Sequence, residues 1–198
     1  MIEKKFIEMK KNEYSIKEFI KKELGKGKIS NVKIERTPIG ERILLFTSRP
    51  GVIIGRKGES IQRLTDVLKK QFKMENPKIE IVEIEKVDFD AQTIADQIAL
   101  SLERFGSSSF KIIAYKFLER IKRAGALGAE IILSGKLPSA KARSWRFSFG
   151  YLNKTGHPTE FVNAAMATAE TKPGTVGVKV YILPPGVRML DKIEVKKE

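Results

Sequence analysis

Hydrophobic residues recur along this chain with two different periods, and each change of period marks a new element. Spacings of three and four residues predict an amphipathic helix that Gly25 ends, with Ser15 and Glu18 at capping-box spacing at its start. Two structures fit the preceding charged and partly apolar segment Met1–Lys11, namely a short helix and a docking arm. The apolar face of the predicted helix consists of Ile16, Phe19, Ile20 and Leu24.

Two strands, a helix and a third strand are predicted next. Val32 and Ile34 alternate with polar residues, Arg42–Phe46 contains a short apolar run, and Pro38–Glu41 supplies a turn between the two. Helical spacing then continues to about Lys73, and a strand pattern follows it, which gives the order α-β-β-α-β. The apolar positions of this helix and strand are Ile61, Leu64, Leu68 and Phe72, and Ile79, Ile81 and Ile84.

Two further helices follow. Either Asp88 or Asp90 is a suitable N-cap for the first, which ends near Gly106. Ser107–Ser109 form a turn that supplies a second cap. The next helix runs from Phe110 to about Ala124. The residues predicted to face the core are Ile94, Ile98, Leu102, Ile113, Phe117, Leu118 and Ile121.

The last part of the chain returns to strand patterns. Glu130–Ser134 and Trp145–Phe149 resemble strands, and apolar residues alternate strictly over Val176–Ile182. Phe161–Thr171 is a conflict, because its alanines favour a helix while its neighbours favour a sheet. We predict that this segment is extended, since tertiary context often overrides propensity.

These elements predict two α+β domains. Residues 1–86 contain an N-terminal arm and the α-β-β-α-β unit, and residues 87–198 contain two helices on a mostly antiparallel sheet. The boundary near Val87 falls in an acidic stretch, Asn76–Asp90, whose net charge is −3. The final residues, Asp191–Glu198, are expected to form a short mobile tail.

Composition narrows the class of partner. Lys and Arg number 38 against 24 Asp and Glu, which gives a net charge of +14 and suits an anionic polymer or an anionic membrane surface. No run approaches the ~20 apolar residues of a spanning helix. The absence of cysteine excludes disulfides, thiolate metal sites and cysteine nucleophiles. We therefore expect a soluble cytoplasmic protein that has no membrane partner, cofactor or metal.

Between the second strand and the next helix, Gly55 and Gly58 enclose a basic pair, Arg56 and Lys57. This pattern is typical of the loop with which a KH domain clamps a nucleic-acid backbone. Glycines let the main chain approach a ligand closely, and N–H groups at a helix start attract phosphate. The spacing matches neither of the common phosphate-loop motifs. The alternative is a glycine-rich turn without a ligand.

A second basic region spans Arg104–Lys154, with 11 Lys or Arg against Glu119 and Glu130. Solubility alone does not require such a single-sign field, so we interpret it as a phosphate-binding surface. Its aromatic residues, at period two, are more typical of core than of base-stacking platforms. The cations of this surface are Lys111, Lys116, Arg120, Lys122 and Arg123 on the predicted helix, and Lys141, Arg143, Arg146 and Lys154 on or beside the sheet.

Taken together, the motifs resemble the small ribosomal subunit protein S three family in its archaeal or eukaryotic form. Arg49–Gly58 is similar to the family's KH loop, and Gly125–Leu137 to its second-domain signature. Lys141–Phe147 resembles the basic segment after that signature, and Pro173–Val180 resembles the closing strand. The chain lacks the long C-terminal extension of many eukaryotic members, which favours the archaeal form.

The resemblance implies a type II KH domain followed by a second α+β domain. It implies a structural, non-enzymatic role in the head of the small subunit, in contact with ribosomal RNA and neighbouring head proteins. It also implies that the protein lines the channel through which messenger RNA enters. Ile112 and Tyr115 stand where bacterial members have basic residues that help to unwind messenger RNA. The RNA-binding residues expected on these grounds are Gly55, Arg56, Lys57, Gly58, Lys111, Lys116, Lys141, Arg143 and Arg146.

Two other functions compete with this interpretation. A free-standing RNA regulator built on one KH domain would leave the second basic field unexplained. A nuclease or DNA lyase would need carboxylates, for which the candidates are capping or surface residues of a helix. His157 has no partner pattern and is expected to be an exposed loop residue. The candidate carboxylates are Asp88, Asp90, Asp96 and Glu103.

Overall fold

A computed structural model describes residues 2–37, 40–72, 74 and 77–187 of the chain. The chain forms two compact units, Met1–Glu85 and Lys86–Glu198, and each is described here by itself. The predicted tail at Asp191–Glu198 lies outside the described residues, as does Pro38-Ile39 of the predicted turn.

The first unit has the predicted α+β order, with its second helix divided in two at the glycines. Its sheet has the order β1-β2-β3, in which β1 and β2 are antiparallel and β2 and β3 are parallel. This combination requires a crossover between β2 and β3, which the two later helices provide. The elements are α1 (Ile2–Leu24), β1 (Asn31–Thr37), β2 (Gly40–Thr47), α2 (Pro50–Ile54), α3 (Glu59–Phe72) and β3 (Lys78–Glu83).

One face of this sheet supplies the core. Register places Val32 opposite Leu45 and Ile34 opposite Ile43, so the predicted alternation becomes cross-strand apolar rows. The helices α1 and α3 contribute Ile20 and Leu68 to the same cluster, and both side chains are fully buried. The other buried members are Ile16, Ile29, Ile53, Leu64 and Met74.

The predicted start of the first helix was wrong. The helix α1 begins at Ile2 rather than at the capping box of Ser15 and Glu18. No glycine or proline interrupts the chain before Gly25, and Ser15 instead donates its hydroxyl to the Lys11 carbonyl at 3.0 Å inside the helix. Neither a separate short helix nor an arm is observed over residues 2–11, which form the first part of the longer helix α1.

The second unit is a pair of helices on an antiparallel sheet, as predicted. The sheet order is β5-β4-β7-β6, and all three pairings are antiparallel. The helix α4 packs on β6 and β7, and α5 packs on β4 and β5. The elements are α4 (Ala91–Phe105), α5 (Phe110–Arg123), β4 (Gly128–Gly135), β5 (Arg143–Gly150), β6 (Asn163–Thr171) and β7 (Gly174–Leu183).

Local signals fix the ends of these helices. Asp90, rather than Asp88, caps α4, because its carboxylate accepts the Thr93 N–H at 3.1 Å. Gly106 ends the helix as predicted. Ser109 precedes α5 but makes no side-chain capping bond, so the second predicted cap was wrong.

The conflict over Phe161–Thr171 is resolved in favour of a strand. Three of the alanines, Ala165, Ala167 and Ala169, occupy alternate positions of β6 and pack against the core beneath α4. Small side chains suit a strand that a helix approaches closely. Only the first two residues of the segment lie outside the strand, because a short 3₁₀ turn covers His157–Phe161.

Candidate nucleic-acid interface

The glycine loop is positioned by a buried threonine in the preceding strand. Thr47 Oγ1 donates to the Lys28 carbonyl at 2.6 Å and accepts the Arg49 N–H at 3.0 Å. Pro50 then occupies the first turn of α2, where its missing N–H costs nothing. The chain thus enters the loop along a fixed path.

Three residues with positive φ bend the backbone between α2 and α3. Gly55 has φ +72° and donates its N–H to the Gly51 carbonyl at 3.1 Å. Gly58 has φ +81°, and between them Lys57 has φ +52°, a value that residues with a Cβ seldom adopt. Such strain persists where the surroundings hold it, often at binding sites.

Glycine is favoured at positions 55 and 58 for different reasons. A Cβ on Gly55 would lie 2.9 Å from the Cβ of Ser60, in the first turn of α3. A Cβ on Gly58 would meet nothing within 4 Å, so only its backbone angle favours glycine. The open space beside Gly58 leaves its main chain accessible to a ligand.

The basic pair of the loop is exposed, as expected. Arg56 and Lys57 both project into solvent, and neither has a carboxylate partner among the described residues. The nearest acid in sequence, Glu59, is paired with Arg63 at 2.7 Å. Two apolar side chains beside the loop are also exposed, Val52 at 48% and Ile54 at 39%.

In the second unit, the cations of α5 fall into two groups. Arg120 lies 2.6 Å from Asp88, and Arg123 lies 2.6 Å from Glu119. By contrast, the following cations have no carboxylate partner in the part of the chain that the structure describes: Lys111, Lys116 and Lys122.

The loop between β4 and β5 and the start of β5 carry two more such cations. Lys141 lies exposed in the loop, and Arg143 is the exposed first residue of β5. Alternate residues of a strand lie on the same face of the sheet. Arg143 is therefore on the same face as Trp145, which packs against the core. The ammonium of Lys111 lies 5.0 Å from the Trp145 ring, which brings α5 and the start of β5 to one side of the sheet.

Arg146 is an odd number of residues from Arg143, so it lies on the other face of the sheet. Its Nε is 2.9 Å from Oε1 of Glu130, a β4 residue whose side chain is only 3% exposed. Lys154 contacts the second oxygen of the same carboxylate and lies over the ring of Tyr181. The structure therefore does not bring Arg146 together with Lys111 and Lys116.

Sequence reasoning missed the role of Glu130. Its only signal was that it is one of two acids in a strongly basic stretch. A buried carboxylate held by two cations fixes both the strand and the loop that carries Lys154. A lone acid within an apolar strand of such a stretch is thus a hint of an internal ion pair.

The carboxylates considered for catalysis have other contacts. Asp88 and Asp90 make the ion pair and the helix cap described above. Asp96 is buried, contrary to the expected solvated surface, and accepts from Gln92 Nε2 at 3.0 Å. Glu103 accepts the Glu170 N–H of β6 at 3.0 Å.

Two searches of the described residues bear on other functions. No group of three or more His, Asp or Glu side chains there could hold a metal ion. No helix in the described ranges combines the length and apolar character needed to cross a bilayer. His157 is 57% exposed at its side chain, as expected, with Glu160 at 3.5 Å.

A glycine-clamp loop with exposed cations, in one chain with a second α+β unit rich in unpaired cations, defines a nucleic-acid-binding protein. The KH-domain family matches residues 15–89, and the family described as "Ribosomal protein S3, C-terminal domain" matches residues 98–182. The chain belongs to the ribosomal protein S3 family.

Full-length relatives support this assignment. The small ribosomal subunit protein uS3 of Methanocaldococcus jannaschii is 40% identical, over 100% of this chain and 95% of the relative. The protein of the same name from Archaeoglobus fulgidus is 42% identical over 98% and 84%. That from Methanococcus maripaludis is 38% identical over 98% and 92%.

Proposed function

We propose that this protein is a structural constituent of the head of the small ribosomal subunit. It binds ribosomal RNA there, contacts neighbouring head proteins and lines the channel through which messenger RNA enters. Its site of action is the cytoplasmic ribosome, with no membrane partner. The role is not enzymatic, in keeping with the ribosomal protein S3 family. The observation that carries the proposal is the pair of exposed cations between two glycines of positive φ, in a chain related to uS3 over its whole length.

Within this proposal, residues 1–86 act as the KH domain and hold RNA through Gly55–Gly58. The N–H groups of the loop and the start of α3 face the phosphates, and Arg56 and Lys57 supply full charges. Residues 87–198 act as the second RNA-binding domain, with unpaired cations that offer phosphate contacts at no cost in broken ion pairs. Those assigned to RNA are Lys111, Lys116, Lys141 and Arg143, with Arg146 on the other face of the sheet.

Charge reversal in the loop tests the proposal. Replacing both Arg56→Asp and Lys57→Asp places like charge where phosphate should lie, so RNA affinity of the full chain should fall by several kcal/mol. Surface substitutions usually change stability by less than about 0.5 kcal/mol, so the thermal melt should not shift. The matched control is Lys69→Asp with Lys70→Asp, an exposed basic pair at the far end of α3.

Cells provide the decisive measurement. Wild-type protein should co-sediment with small subunits in a sucrose gradient, and the loop variant should leave a free pool. Unchanged RNA affinity and unchanged sedimentation of the loop variant would show that the loop is a structural turn. A wild-type protein found only in free fractions would instead favour the free-standing regulator.

A further inference from the structure

The exposed face of α5 contains two large apolar side chains that are mostly open to solvent. Ile112 is 74% exposed and Tyr115 is 59% exposed. Both stand three residues apart, so they are neighbours on one helix face. An exposed apolar pair on a helix of this charge needs a reason, because the unit already buries Phe110, Ile113 and Ile121 from the same helix.

The Tyr115 ring is held in place by the sheet. Its centroid lies 5.1 Å from that of Phe147, at an interplanar angle of 76°. Phe147 is buried and also packs edge-on against Phe110, at 6.3 Å. An edge-to-face contact occupies at most one face of the tyrosine ring. Since Tyr115 is 59% exposed, much of the ring surface is open to solvent while Phe147 restricts its orientation.

The charges around Tyr115 favour an anionic partner. Lys111 and Lys116 flank it at positions i−4 and i+1, and neither has a carboxylate partner among the described residues. Glu119, the one acid of α5, is occupied by Arg123 at 2.6 Å. A polyanion that carries flat, apolar rings fits this combination better than a protein surface does.

We infer that Tyr115 is a stacking platform for an unpaired base of single-stranded RNA, with Ile112 as the apolar margin of the site. Lys111 and Lys116 bind the phosphates on either side of the stacked base. This inference rests on the proposed function and adds to it a residue that recognises bases rather than charge. A duplex, whose bases are already stacked, cannot use the platform.

This site and a cluster of basic residues should differ in how RNA affinity depends on salt and on free bases. Cations at positions 112 and 115 would add phosphate contacts and strengthen the dependence of affinity on salt. An aromatic ring adds affinity that salt does not screen, and that a strand has only where its bases are free. The face thus selects single-stranded segments.

The test compares two RNAs of equal phosphate number, a short unstructured strand and the same backbone without bases. Tyr115→Ala in the full chain should weaken binding of the base-containing strand about five- to 150-fold, the value of one stacked base. It should leave binding of the abasic strand and the salt slope unchanged. Tyr115→Phe keeps the ring and should keep most of the affinity.

Two controls separate stacking from charge and from folding. Tyr14→Ala removes a tyrosine of similar exposure from α1 and should have no effect. Lys116→Ala should weaken both RNAs and reduce the salt slope by about one unit. Tyr115→Leu keeps an apolar contact with Phe147, so it replaces Tyr115→Ala if that variant melts at lower temperature.

Each other outcome overturns the inference in a distinguishable way. If wild type and Tyr115→Ala bind the base-containing strand equally, RNA binding stands but the platform does not exist, and a protein partner becomes the better occupant. Equal losses on both RNAs would mean that the substitution acts through charge or fold. Failure of the wild type to bind either RNA would refute the proposed function together with the platform.

Discussion

The two glycines of the loop should respond very differently to alanine, although both have positive φ. Gly58→Ala must hold a Cβ residue in the left-handed region, which costs about 1–2 kcal/mol. It meets nothing within 4 Å, so no further cost is expected. Gly55→Ala must hold a Cβ residue at φ +72° and ψ −173°, a region that essentially only glycine adopts and that costs about 1–3 kcal/mol. It also places a Cβ 2.9 Å from the Cβ of Ser60.

The contact with Ser60 cannot be relieved by rotating a side chain. The Ser60 hydroxyl can turn away, but its Cβ is fixed to the backbone of α3. Overpacking of this kind typically costs about 1–3 kcal/mol. We therefore expect Gly55→Ala to lower the free energy of unfolding by about 2–6 kcal/mol in total.

A double-mutant cycle isolates the steric part. A Ser60→Gly background removes both Ser60 side-chain atoms that the added methyl group would meet, and the Ser60 backbone nitrogen lies 3.4 Å from that methyl group. Gly55→Ala should then cost less than it does with Ser60 present, because only the backbone cost remains. Gly55→Ala and Ser60→Gly act on the same contact, so their effects on the free energy of unfolding should not add.

Urea unfolding followed by far-UV circular dichroism measures these differences, with thermal melting as a second readout. Each kcal/mol corresponds to a shift of about 4–8 °C for a unit of this size. Equal destabilisation by Gly55→Ala and Gly58→Ala would refute the steric reasoning. So would a Ser60→Gly background in which Gly55→Ala remains just as costly.

Three further outcomes follow from the ion pairs and the cap. Asp90→Ala should cost about 1 kcal/mol of stability, measured by urea unfolding, because α4 loses its N-cap bond. A hydrogen bond from Arg42 lowers the pKa of Glu80 below 4.5, so this pair stabilises the fold above that pH and is lost as acid protonates Glu80. NMR titration of the Glu80 carboxyl in wild type and Arg42→Ala should show the pKa return upward. Arg146→Ala should lower the melting temperature, because Glu130 stays buried with one cation fewer.

Much of the architecture could be read from hydrophobic period alone. Strict alternation over Val176–Ile182 predicted β7, and its four apolar residues are all buried. An N-cap at Asp88 or Asp90 and a stop at Gly106 marked the two ends of α4, since a cap and a glycine of positive φ act locally and need no knowledge of the rest of the chain. These signals depend only on residues near one another in sequence.

The errors arose where two local signals competed. Ser15 and Glu18 have capping-box spacing, but the same hydroxyl can bond to a carbonyl four residues earlier and leave a helix intact. Nothing local decides between the two. The alanines of β6 show the reverse case, in which the nearby helix α4, and not propensity, determines the conformation.

The RNA-binding candidates show why spacing cannot decide which cations act together. Arg143 and Arg146 are three residues apart, but an odd separation along a strand places them on opposite faces of the sheet. Arg143 lies on the face where Lys111 meets Trp145, without a carboxylate partner among the described residues. Arg146 shares the buried charge of Glu130 with Lys154, so the three groups carry one net positive charge.

A phosphate that binds Arg143 gains the full attraction of a free guanidinium, whereas one that binds Arg146 must compete with a fixed carboxylate. Charge counted along the sequence therefore overstates what this strand offers to RNA, and we predict that Arg143 contributes more to RNA affinity than Arg146.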